Sequence, residues 1–263
     1  MHLQRVLSLF HHINFFKILS LILSNDIEAR WSYRGSSIYD LAESMTESEH
    51  IIQLRDHHRS FLDIIQFSNQ EFYDNTLRIA TDYSRLKSPN NGKPILGMQW
   101  MDIKGKTIRP ETGGAYNIQE VEGVIRILKR LAIDLDFKGS IGVTTPFHLQ
   151  AEMITKALER DSDLRNHLEL NNQILIDTVH KFQGDERDVI IFSPVVSIGT
   201  MPQSLMFLKS TGNLFNVAIT RARALLVTVG DKQFCKQCGV SYLEHFAEYS
   251  SGEDAPVEVS EWE

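Results

Sequence analysis

The 263-residue chain reads as an α/β protein built on a mainly parallel sheet with helices on both faces. Three observations predict this. Short Val- and Ile-rich runs recur along the chain, with the near-continuous apolar character of strands covered on both sides. Segments with apolar residues at helical spacing separate them. Hydrophobic residues make up 42% of the chain, enough at this length for one large core with a modest appendage.

The elements follow in order. Residues 54–73, LRDHHRSFLDIIQFSNQEFY, hold Arg59 ahead of an apolar, helix-like run. Residues 84–94, SRLKSPNNGKP, carry Pro, Asn and Gly and read as a loop. ILGMQWMDI, residues 95–103, is a strand. Asn117 and Glu120 form a capping pair for a helix in which Ile118, Val121, Ile125, Leu128 and Leu131 recur at helical spacing. IGVTT, residues 141–145, is the next strand, and residues 149–158 form the next helix. The strands ILIDTV (174–179), DVIIFSPVV (188–196) and ALLVTVG (224–230) complete the set. A helix over NLFNVAITRAR, residues 213–223, precedes the last of them.

Composition removes several classes of protein. With 27 Lys plus Arg against 34 Asp plus Glu, the net charge is −7, which excludes nucleic-acid binding through bulk charge but leaves room for a local basic track. Two cysteines in so long a chain point to a reducing compartment and a cytoplasmic location. Residues 6–23, VLSLFHHINFFKILSLIL, are apolar, but His11, His12, Asn14 and Lys17 interrupt them and no small-residue cleavage site follows. No membrane span is expected, because polar groups in mid-span are costly. Cys235 and Cys238 form a C-x-x-C without the second pair that a structural zinc site needs, so no metal site is expected.

Four segments carry the chemistry. TRAR, residues 220–223, sets two arginines two residues apart, each a permanently charged fork suited to phosphate oxygens. The plainer reading is a helix end with cations that its dipole favours. TVHKFQGDERDVIIFSPVVS, residues 178–197, places the polar turn Gln183-Gly184-Asp185-Glu186 between apolar runs. IGVTTPFHLQ, residues 141–150, ends a strand on Thr144, Thr145 and Pro146. The fourth is the Arg59 segment. Together, in this order, they resemble the second RecA-like domain of superfamily 1 helicases, a P-loop NTPase type. The likeness is greatest to the branch that includes the nonsense-mediated-decay helicase, and it extends over residues 36 to 246.

The resemblance implies a division into an unmatched, helical N-terminal segment (1–35), a C-terminal RecA-like helicase domain (36–247) and an acidic, disordered tail (248–263). It implies that ATP with Mg2+ binds only together with a first RecA-like domain, supplied in cis or in trans. Arg221 matches the family's arginine finger, Arg59 an upstream arginine that also reaches the phosphates, and Gln183 a residue near the phosphates. Glu186 matches the acidic residue on the ribose, beside Gly184 where backbone can approach closely. Arg223 is a phosphate contact or a structural pair. His58 stands where relatives commonly put Tyr or Phe to stack near the base, and Phe61-Leu62 replaces a frequent His-Pro, so this motif departs from the family pattern at its base contact. Thr145, Thr178 and His180 match positions that touch the backbone of single-stranded DNA or RNA; the bland alternative is that these threonines fill a β-rich interior. Translocation would run 5′ to 3′ for this branch.

Two parts of a hydrolysing pair are not found in the sequence. No G-x-x-x-x-G-K-[ST] occurs: Gly105-Lys106-Thr107 has Trp100 where the first glycine belongs and reads as a polar hairpin. No DEAD-like acidic box follows a strand. The expectation is a helicase motor domain inactive by itself, and the alternative is a non-catalytic remnant that binds nucleic acid or a protein.

Overall fold

A computed structural model describes residues 42–47, 50, 52, 54–90, 92–182 and 184–250. The chain divides into two compact units, Met1–Leu54 and Arg55–Glu263. In the first, residues 42–44 make a helical turn, with the Met45 N–H donating to Ala42 O at 3.2 Å. The helical expectation for residues 1–35 lies outside the described residues.

The second unit holds the α/β fold. Its main sheet has five parallel strands: β3 (Gly97–Asp102), β4 (Ile141–Thr145), β5 (Ile174–Thr178), β6 (Arg187–Phe192) and β7 (Ala222–Gly230). Their order across the sheet is β3-β7-β6-β4-β5. Two residues each from β1 (Asp56–His57) and β2 (Arg78–Ile79) pair in parallel as a small separate sheet, which no sequence pattern had suggested. β6 stops at Phe192 because Pro194 has no N–H for the ladder.

Strand side chains alternate between two apolar layers, as a period of two requires. On one face Met98, Trp100, Ile190, Phe192 and Leu226 pack with α1 (Leu62–Phe72), α6 (Gly212–Ile219) and α8 (Ser241–Tyr249). On the other, Ile141, Val143, Ile191, Val227 and Val229 pack with α2 (Ile118–Lys129), α3 (His148–Glu159) and α4 (Ser162–Asn171). Gly123 allows α2 its close approach: a Cβ there would lie 2.3 Å from Ile103 Cδ1 and 2.6 Å from Val229 Cγ1. Two short helices, α5 (Pro202–Lys209) and α7 (Lys232–Cys235), complete the unit. α5 opens on a proline, whose missing N–H costs nothing in a first turn.

Three local expectations change. The capping pair is half right: Asn117 accepts from the Gln119 and Glu120 amides at 3.1 and 3.4 Å, but Glu120 reaches back to the Asn117 side chain at 3.1 Å and not to its backbone N–H, which donates to Gln150 Oε1 at 2.9 Å. Because the helix α6 ends at Ile219, Arg221 occupies a turn and Arg223 lies in β7, so neither sits on the helix expected over 213–223. α8 runs to Tyr249, so residues 248 and 249 are helix and not tail; residues 251–263 lie outside the described ones.

Candidate functional site

Three segments far apart in sequence meet at the edge of the sheet where β6 and β7 begin. The Phe61 N–H donates to Arg223 O at 2.8 Å, and the Arg187 N–H donates to Arg221 O at 3.0 Å. Ser60, fully buried, knots them: its hydroxyl donates to Thr220 O at 3.5 Å, its carbonyl accepts from Thr81 Oγ1 at 2.8 Å, and its N–H donates to His57 Nε2 at 2.9 Å. His57 can accept only while that nitrogen is unprotonated. Burial and the adjacent Arg59 and His58 charges do this, pushing its pKa down to about 4.

This knot sets the arginines. Arg59 Nε donates to Glu186 Oε2 at 2.5 Å. Arg223 Nε lies 3.9 Å from Glu186 Oε1, and its Nη1 lies 3.7 Å from Asp188 Oδ1. Arg221 rests on backbone, donating from Nε to Val217 O at 3.2 Å and from Nη1 to Asp185 O at 3.3 Å. Its pKa is pulled down first by burial and then by the positive charge of Arg59. The negative charges of Glu186 and Asp185 oppose that effect.

Local backbone features aim these side chains. The β6–β7 register slips between Arg187 and Val189, so Arg223 and Ala224 together oppose Asp188. Such a bulge re-aims a side chain, and here it serves Arg223. Gly184 has φ +83 and open space around it, which a side-chain-bearing residue would rarely adopt. Asp188 serves locally: its Oδ2 accepts from the N–H and hydroxyl of Ser140, both at 2.8 Å. Gln183 lies outside the described residues.

The opposite edge of the sheet holds the candidate nucleic-acid residues, because β4 and β5 end there. Thr178 Oγ1 donates to Asp177 Oδ1 at 3.3 Å, and His180 is exposed on the turn that follows. Both line a narrow cleft with Pro146, Pro194, Phe207 and Phe215. Thr145 does not join them. It is fully buried, and its hydroxyl accepts from the Phe147 N–H at 3.4 Å, so it shapes the turn into α3 instead of facing solvent. His58 is exposed, with Nδ1 3.1 Å from Ala80 O. Cys235 and Cys238 are buried free thiols whose pKa values burial raises, and Cys235 is the last residue of α7. Among the described residues no His, Cys, Asp or Glu cluster could hold a metal ion, and no helix is long and apolar enough to cross a membrane.

The sequence reading missed His57 and Ser60, neither of which belongs to a motif by residue type. His57→Ala should strand the buried Ser60 N–H and cost about 1–3 kcal/mol, read as a lower urea midpoint at pH 7. An unchanged midpoint would mean that the amide finds another acceptor.

A five-stranded parallel sheet covered on both faces, with this strand order, is a RecA-like α/β fold. Residues 35–233 match the AAA domain family, and the chain belongs to it, as a superfamily 1 helicase domain of the nonsense-mediated-decay branch. Relatives include the helicase sen1 of Schizosaccharomyces pombe, 31% identical over 68% of this chain and 10% of that protein. A second is the DNA polymerase alpha-associated DNA helicase A of Saccharomyces cerevisiae, 33% identical over 57% of this chain and 21% of its own length. A third is an ATP-dependent helicase of Methanocaldococcus jannaschii, 28% identical over 66% of this chain and 26% of its length. The chain thus spans about a quarter or less of these relatives.

Proposed function

We propose that this domain is the second motor domain of an ATP-dependent helicase and works only against a first RecA-like domain, on the same polypeptide or another. The observation that carries this is the convergence of Arg59, Arg221 and Arg223 around Glu186 at one edge of the sheet.

The donor set suits part of a nucleotide. Arg221 and Arg59 offer planar donors to terminal phosphate oxygens, and Glu186 can accept from ribose hydroxyls once Arg59 turns to the phosphates. Arg223, held by two carboxylates, keeps Glu186 in place. When bound between two such domains, ATP with Mg2+ supplies the phosphoryl group whose transfer to water releases the energy for movement. The residues of this chain stabilise charge; they provide no phosphate cradle.

Nucleic acid is gripped at the opposite edge. Thr178 and His180 donate to the backbone of single-stranded DNA or RNA without reading sequence, while Thr145 positions the turn beside them. β5 and β6, five and six residues long, separate the two sites by about 15–20 Å of rigid strand. A shift of the arginine edge on domain closure is therefore delivered to the strand-gripping edge, which favours translocation over simple binding.

The first test is ATP hydrolysis by the purified chain with and without single-stranded DNA. No turnover is expected alone, and turnover should appear when a first RecA-like domain of the family is joined to it. Turnover by the chain alone would overturn the two-domain reading, and none after joining would favour the non-catalytic remnant.

A further inference from the structure

The cleft beside Thr178 and His180 continues into groups that no motif singled out. Phe207 of α5 is 39% exposed and lines that cleft. Its ring is braced by Phe147 at the start of α3, with centroids 5.6 Å apart and planes tilted by 47°. Arg109, exposed, donates from Nη1 to the buried Ser204 hydroxyl at 3.2 Å, one helical turn before Phe207. The neighbouring Lys106 segment is stitched to the loop after β6: Thr107 N–H donates to Ile198 O at 2.9 Å and Thr107 Oγ1 to Val195 O at 3.2 Å. Lys106 lies across Gly199, its Cγ 3.5 Å from where a side chain there would begin. The same loop sends Pro194 into the cleft. Lys106 is thus tied through Gly199 to the loop that enters the cleft, and Arg109 through Ser204 to the helix that carries Phe207.

We propose that this surface extends the single-strand track, with Phe207 stacking a base and Lys106 and Arg109 meeting the phosphates beyond it. The inference rests on the nucleic-acid reading above. A half-exposed ring flanked by cations is what a single strand needs: every base has a face to stack on, and the backbone needs counter-charge. A protein-docking core would instead be depleted of charge. The surrounding chain carries −7, so cations gathered here are a local exception that resolves how an acidic protein holds an anionic strand.

The test is fluorescence anisotropy of a short labelled single-stranded DNA with the full chain, over a series of salt concentrations. Lys106→Ala with Arg109→Ala should weaken binding equally for all base compositions and lower the salt slope by about 1.4, roughly 0.7 for each lost phosphate contact. Phe207→Ala should weaken binding roughly 5- to 150-fold with the slope unchanged, and Phe207→Trp should restore it. Thr178→Ala reports on the underlying reading. If it weakens binding while the other variants match the wild type, the track stops at Thr178 and the surface serves a protein contact, which overturns the inference alone. If the wild-type chain binds no oligonucleotide, the reading and the inference fall together.

Discussion

Arg221→Ala should cut ATP turnover by about 10³-fold or more in an enzyme that joins this domain to a first RecA-like domain, while ATP affinity changes little. The asymmetry follows from where charge develops. A finger stabilises the transferring phosphoryl group more than the bound ground state, so its loss falls on turnover. The geometry also makes the variant clean. Arg221 side-chain donors rest on Val217 O and Asp185 O, whereas the bond joining β6 to β7 uses the Arg221 carbonyl, which alanine retains. Arg221→Lys separates charge from shape, because an ammonium keeps the charge and loses the planar fork; partial recovery there is expected. Turnover equal to wild type in Arg221→Ala would remove this residue from the mechanism and leave Arg59 as the sole candidate finger.

The sheet was legible because buried parallel strands write themselves as Val and Ile runs: IGVTT falls where expected, ALLVTVG lies within a strand that begins two residues earlier, and DVIIFSPVV is strand only as far as Phe192. The arginines were legible as a motif but not as geometry. Their helical setting was misread because Ala and Leu after Thr220 suit a helix locally, and pairing with β6 overrides that preference. Thr145 matched a position that touches nucleic acid, but it is fully buried at the end of β4, in keeping with the alternative that it fills the interior. His57 and Ser60 were invisible for a different reason. Their work is done through a backbone amide and carbonyls, and no residue spacing records which distant carbonyl a hydroxyl will find. The Arg59–Glu186 pair spans 127 positions and belongs to the same class of fact.

Glu120→Ala should destabilise the domain by roughly 3 kcal/mol, at about 1 kcal/mol for each hydrogen bond lost. The carboxylate is fully buried and accepts from Ser193 Oγ at 2.6 Å, Val195 N–H at 2.9 Å and Asn117 Nδ2 at 3.1 Å. Val195, a β-branched residue at φ 59, is held in the left-handed region that such residues avoid, and the Glu120 bond to its amide is what holds it. Burial outweighs the three donors and raises the Glu120 pKa to about 8. A carboxyl raised from 4.5 to about 8 binds a proton in the folded state that the unfolded chain has released. Its contribution is whole below pH 4.5 and is lost as pH rises through 8. His57 acts in the opposite sense, since its pKa falls from 6.5 to about 4, so its contribution is whole above pH 6.5 and is lost in acid. Between pH 6.5 and 8 only Glu120 of this pair titrates, and the urea midpoint should fall across that interval in the wild type and stay level in Glu120→Gln. A level wild-type midpoint would show that the carboxylate keeps one protonation state throughout. Because the same loop carries Pro194 into the cleft, loosening it at high pH should also weaken single-strand binding in the wild type and spare Glu120→Gln. That pairing of readouts ties the strained loop to the nucleic-acid edge and not to stability alone.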